Sequence, residues 1–166
     1  MLKATVALSL CLSLAACGTY RPLYGNGPDG TSVAGSLSSM SVAEQHTRSG
    51  QLLRNELLDG THSGGEQRYR LKLDVTERVI YVAGLSSSSA VRKRFNLTAH
   101  FELFDAKSDK SATAGDSFSN VEFDTVNVPV SDLQAEDAAR SRAAKELGQD
   151  IRLRLATFLA TQKPRL

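Results

Sequence analysis

Cysteine is almost absent from this 166-residue chain: Cys11 and Cys17 are the only two, both near the N-terminus. Everything after Cys17 therefore offers neither a disulfide nor a thiolate metal ligand. Histidine is as sparse, and no two of His46, His62 and His100 lie at metal-ligand spacing. No glycine-rich phosphate loop is present. Gly30-Thr31-Ser32-Val33-Ala34 lacks the closing glycine and the strand-turn-helix setting of a hydrolase elbow. With no catalytic motif, no metal set and no cofactor motif, the chain reads as a non-enzyme. The formal charge is +2, one unit of it on Lys3, which excludes the basic field of a nucleic-acid binder. Long apolar runs are missing as well: Val6 to Leu14 falls short of the ~20 residues that span a bilayer.

What is present starts with residues 1–16, which carry one cation, a short apolar run and two small residues, the layout of a secretory signal peptide. Leu14-Ala15-Ala16-Cys17 refines this to a bacterial lipobox. The Cys17 thiolate is the group alkylated by diacylglycerol, and Ala15 and Ala16 let a peptidase reach the bond before it. Several acyl chains, palmitate among them, would then hold the chain permanently, since each buried CH₂ contributes ~0.8 kcal/mol. Gly18 stands where an aspartate would signal inner-membrane retention, so the expected location is the outer membrane, lipid-anchored. Residues 17–36, dense in glycine and proline, read as an anchor and linker rather than a helix. Residues 37–163 remain for one domain with a real core.

Within that domain a short strand is expected from about Leu37 to Val42, with Met40 and Val42 on one side. A helix follows over His46 to Leu58: Thr47 or Ser49 caps it, Leu53 and Leu57 recur at i, i+4, and Gly60 sits at its C′ position. Tyr69, Leu71, Leu73 and Val75 alternate with polar residues, and so do Phe95, Leu97, Ala99, Phe101 and Leu103, the pattern of half-buried strands. Matching their apolar faces as a hairpin places Glu102 opposite Arg70 or Lys72, and His100 within reach of Asp74. Val79 to Val82 is apolar throughout, which predicts a bulge or a two-sided contact. A third strand is expected from about Ala112 to Phe123, with Val121 and Phe123 on one face and Phe118 on the other. The last helix carries the stripe Ala139, Ala143, Leu147, Ile151, Leu155 and Phe158, with Ser131 and Gln134 spaced as a capping box. The order is β-α-β-β-β-α. The predicted fold is α+β, a two-layer sandwich with two helices on one face of a four-stranded, mostly antiparallel sheet. The other face is left polar, for water or a partner.

One cluster invites a ligand. Arg92, Lys93 and Arg94 enter a strand just after a serine-rich connection, and arginine binds phosphate bidentately. Arg68, Arg70 and Lys72 would widen the patch along the neighbouring strand. The competing reading is a solvated edge whose charges discourage strand-to-strand aggregation.

Cys17-Gly18-Thr19-Tyr20-Arg21-Pro22-Leu23-Tyr24-Gly25 resembles the lipidated N-terminus of the alphaproteobacterial LptE family, the lipopolysaccharide-assembly lipoproteins. Arg48 to Gly60 looks like that family's first helix, and the element order matches its two-helix, four-stranded layout. The resemblance implies a non-enzymatic subunit that plugs the LptD β-barrel, helps assemble it and binds lipopolysaccharide, facing the periplasm or the barrel lumen. The assignment of lipopolysaccharide to Arg92, Lys93 and Arg94 comes from charge and position, since no family motif transfers to them. The serines before them make that connection softer than a rigid docking loop. The alternative function is a free-standing lipoprotein facing the periplasm, a protein-binding or chaperone module for another envelope machine.

Overall fold

The alternation that starts at Tyr69 and at Phe95 runs on further than expected, and it builds a long ribbon. A computed structural model describes residues 33–59, 67–84 and 90–162. The expected signal segment, the expected lipidation site at Cys17 and most of the expected anchor lie outside the described residues, as do Gly60 and the serines at 86–89. The elements are α1 (Val33–Ser38), β1 (Met40–Val42), α2 (Arg48–Leu58), β2 (Tyr69–Gly84), β3 (Val91–Asp105), β4 (Ser111–Thr125) and α3 (Pro129–Thr161). The four strands form one sheet in the order β1-β2-β3-β4. β1 pairs in parallel and the rest pair antiparallel, so the α+β sandwich is as expected.

Register follows the apolar pattern. Leu71 faces Leu103, Leu73 faces Phe101, and Glu102 stands opposite Lys72, one of its two expected partners. These odd-numbered residues of β2 and β3, with Val121 and Phe123 of β4, make the sheet's share of the core. α2 adds Leu53 and Leu57, and α3 adds the expected alanine-leucine stripe, fully buried except for Phe158 at its rim. The 33 residues of α3 reach about 50 Å at 1.5 Å each, the same length as the 15-residue β3 at ~3.3 Å each. One helix can therefore cover most of a strand. It lies close to α2 because Gly148 has no side chain: a Cβ there would stand 2.6 Å from Glu56 Cγ. Arg152 fastens the same contact, donating to the carbonyls of Glu56 and of Asp59 (2.9 Å) at the end of α2.

Four details correct the sequence reading. Residues 33–38 form a helix where a helix-free linker and the start of a strand were expected. Glycine thins out after Gly30, Val33 and Leu37 recur at i, i+4 on the core side, and Ser38 and Ser39 hydroxyls cap the carbonyls of Gly35 and Ser36. β1 is accordingly shortened to three residues, with Met40 and Val42 both buried as expected. The capping box at Ser131 does not form: Pro129 starts α3 two residues earlier, and Asp132 Oδ1 instead accepts from the Val126 amide at 2.8 Å. Finally, Arg68, Arg70 and Lys72 do not extend the basic cluster. A hairpin sets the start of one strand against the end of the other, so Arg70 pairs with Phe104, about 40 Å from Arg92 along β3.

Thr47 caps α2 as predicted, its Oγ1 accepting from the Gly50 amide at 3.1 Å. The expected bulge is present too, between Tyr81 and Ala83. A second irregularity near Phe104 leaves Ala112 without a register partner on β3.

Candidate functional site

Strand alternation decides what the three adjacent cations can do together. Phe95 is buried under the helices, so Lys93 belongs to the helix-side face, while Arg92 and Arg94 project from the open face. The cluster is thus split, two cations on one side of the sheet and one on the other.

Register also brings carboxylates to the two arginines. Arg92 sits opposite Asp124 and Arg94 opposite Glu122 on β4. Arg92 meets Asp124 bidentately, Nε to Oδ1 at 2.9 Å and Nη2 to Oδ2 at 3.1 Å. Nε and Nη2 of Arg94 both donate to Glu122 Oε1, at 3.2 and 2.6 Å. The Arg92 hydrogen bond holds the Asp124 carboxyl below the usual carboxylate range, and the same contact raises the guanidinium above its own. Asp124 consequently stays ionised through mildly acidic pH, and its pair with Arg92 persists there.

A second feature of this end was not visible in the charge pattern. Val79, Ile80, Tyr81 and Val82 of β2 are all exposed, and Tyr81 retains 65% of its surface. Beyond Thr125, which pairs with Val91, the chain carries Val126, Val128, Val130 and Leu133 into α3, again exposed. Cations and uncovered apolar side chains therefore share one end of the sheet. Such an end suits an amphiphile, a molecule with an anionic head and hydrocarbon attached.

The rest of the open face is polar. Asp74 lies opposite His100 as expected, but the imidazole Nδ1 meets Asp116 Oδ1 on the other side, at 2.8 Å. Phe118 stands out in the middle of this face, 71% exposed. Among the described residues no set of His, Cys, Asp and Glu converges to hold a metal ion, and no helix is long and apolar enough to cross a membrane.

A short parallel strand and three antiparallel ones, covered on one face by helices and open on the other, define a two-layer module that recurs in lipoproteins of known structure. A candidate lipoprotein from Caulobacter crescentus CB15 shares it at a TM-score of 0.68 and 29% identity, over 78% of this chain and 97% of that one. The minor lipoprotein of Acinetobacter baumannii shares the fold at a TM-score of 0.53 and 15% identity, over 71% of this chain and 88% of that one. No curated protein sequence matches. The family profile for lipopolysaccharide assembly, LptE, matches residues 36–155, well over half of the chain. The chain belongs to the LptE family, and is an envelope lipoprotein of the lipopolysaccharide-assembly type.

Proposed function

We propose that this chain is a non-catalytic outer-membrane lipoprotein, anchored through lipid on Cys17, that plugs and helps assemble the LptD β-barrel and binds lipopolysaccharide. Membership of the LptE family supports the partnership. The observation that carries the ligand is the end of the sheet where Arg92, Lys93 and Arg94 meet Val79 to Val82 and Val126 to Leu133. The glucosamine phosphates of lipopolysaccharide take the cations, and the exposed apolar side chains receive the adjoining hydrocarbon. The existing ion pairs do not forbid this. Exposed pairs contribute only ~0–1 kcal/mol each, and a phosphate dianion replaces a single carboxylate with more charge and more acceptors.

The partnership is tested by tagging the chain after Leu166, solubilising outer membranes in mild detergent and identifying what co-purifies. The expected result is a large β-barrel in stoichiometric amount. Recovery of the lipoprotein alone, from membranes that contain the barrel, would sink the proposal and favour the free-standing alternative.

The ligand site is tested by the triple variant R92Q/K93Q/R94Q. Lipopolysaccharide binding should weaken about tenfold, equivalent to ~1.4 kcal/mol, with an unchanged circular dichroism spectrum. Equal binding by the neutralised protein would remove the site.

A further inference from the structure

The ladder on the outer side of β2 stops long before the strand does. β1 pairs with it only over Tyr69, Arg70 and Leu71. The Ala43 amide then donates to Leu71 O at 2.9 Å, and the Gln45 side chain takes the next place, Nε2 to Leu73 O at 3.3 Å. These bonds show that the odd-numbered residues of β2 turn their main chain outward. Arg68 O, by contrast, accepts from Ala106 on the β3 side at 2.9 Å. Continued along the strand, the alternation aims the N–H and C=O groups of Val75, Glu77, Val79 and Tyr81 away from the sheet. Among the described residues no strand pairs with them.

This edge carries little of what usually protects one. Lysine, proline and short length are the common devices. Val75 to Tyr81 has none of these three; what it does carry is Glu77, a charge turned inward against Arg140 and Ser49, and a bulge at its far end. The side chains of its outer half are apolar and exposed on both faces, Val79 and Tyr81 on the helix side and Ile80 on the open side. Arg78, on the open side, forms no ion pair among the described residues. The opposite edge of the sheet differs: β4 sets Asp116, Glu122 and Asp124 along its open side.

We propose that the outer edge of β2, from Val75 to Tyr81, is a strand-addition site for an extended segment of a partner protein. The segment has apolar side chains against Val79, Ile80 and Tyr81 and a carboxylate against Arg78. The main chain decides the class of partner. Donors and acceptors that recur at every second residue, ~6.6 Å apart, are matched by another extended peptide backbone and by neither a lipid nor a sugar. The free stretch spans about 20 Å, enough for a seven-residue strand. The inference shares Val79, Ile80 and Tyr81 with the proposed lipopolysaccharide site, but it uses neither Arg92 nor Arg94 and needs no phosphate, so peptide binding should persist in R92Q/K93Q/R94Q.

The test uses the full chain in detergent and a fluorescein-labelled octapeptide, Lys-Thr-Val-Val-Val-Glu-Val-Thr, followed by fluorescence anisotropy. Saturable binding is expected. It should weaken at least about tenfold when alternate peptide nitrogens are methylated, and equally in Val79→Pro, which removes an outward N–H and leaves the β3 ladder intact. Phe118→Ala, on the open face away from the edge, should bind as the wild type does. If circular dichroism shows Val79→Pro unfolded, the methylated peptide still decides the matter on the unaltered protein. Binding that survives methylation, or none at millimolar peptide, overturns the proposal. A wild-type dimer that Val79→Pro converts to a monomer in sedimentation would assign the edge to a second copy. Loss of binding to phosphatidylethanolamine–phosphatidylglycerol vesicles in that variant, with peptide binding unchanged, would assign it to lipid. Either outcome overturns the partner-segment reading.

Discussion

Truncation of Phe95 to alanine is expected to lower folding stability by about 3–5 kcal/mol. Phe95 is completely buried in the central strand, between Val79 of β2 and Val121 of β4. It is the largest side chain of the core without access to solvent. The Arg140 guanidinium lies 5.2 Å above its ring, so the truncation also removes the surface on which that charge rests. Stacked helices and a fully hydrogen-bonded central strand cannot collapse into the space, and a cavity term adds to the lost burial. Domains of this size have about 5–15 kcal/mol in total, so the variant approaches the limit of a folded protein. Urea unfolding measures it, as a lower midpoint at unchanged slope. The control is Phe118→Ala, the same substitution 71% exposed on the opposite face, which should stay within about 0.5 kcal/mol of the wild type. Equal losses in the two variants would mean that the faces of the sheet are misassigned.

That contrast shows what is legible in a strand sequence. A period of two places Phe95 in and Phe118 out without any coordinates, and it leaves Glu102 opposite Arg70 or Lys72, between which the observed register selects Lys72. The same rule, applied to three consecutive cations, already separates Lys93 from Arg92 and Arg94. It also predicts that Glu122 and Asp124, alternating with Val121 and Phe123, face those arginines across a hairpin. Direction was the harder matter. Grouping Arg68, Arg70 and Lys72 with the cluster assumed that neighbouring strands keep their starts together, and an antiparallel hairpin reverses them.

The remaining surprises come from tertiary terms that local pattern does not carry. Val33 and Leu37 are too few to announce a helix, yet each finds the core, and six residues wound around that contact suffice. Ser131 fits the capping spacing, but Pro129 is pre-set for a first helical turn and moves the start ahead of it. The unpaired edge of β2 has no sequence signal at all, because it depends on where β1 ends. The four apolar residues at 79–82 are exposed on both faces, which shows only once the fold is known.

Replacing Arg140 by methionine is expected to cost about 2–3 kcal/mol, between the small value of an exposed ion pair and the 3–5 kcal/mol of a broken buried one. Glu77 is the reason. Its position in the alternation turns it toward the helices, where every earlier odd-numbered residue of β2 is apolar, and a carboxylate there needs a cation. Arg140 supplies it. With only 12% of its side chain exposed, it reaches Glu77 Oε2 at 3.6 Å, Glu136 Oε1 at 2.7 Å and Asp137 Oδ1 in one fan. Ser49 of α2 donates to the same Glu77, and Arg48 reaches Asp137 at 3.3 Å, so the network ties α2, α3 and β2 together at the end of the core. Methionine keeps much of the packing over Phe95 and removes only the charge, leaving three carboxylates side by side. The cost should therefore respond to charge rather than to shape. Adding Glu77→Gln to Arg140→Met should recover about 1 kcal/mol relative to the sum of the single variants. Raising sodium chloride to about 1 M, where screening acts within ~3 Å, should shrink the deficit of the single variant. A methionine variant as stable as the wild type, or a loss indifferent to both Glu77→Gln and salt, would show that Arg140 acts through its stem alone.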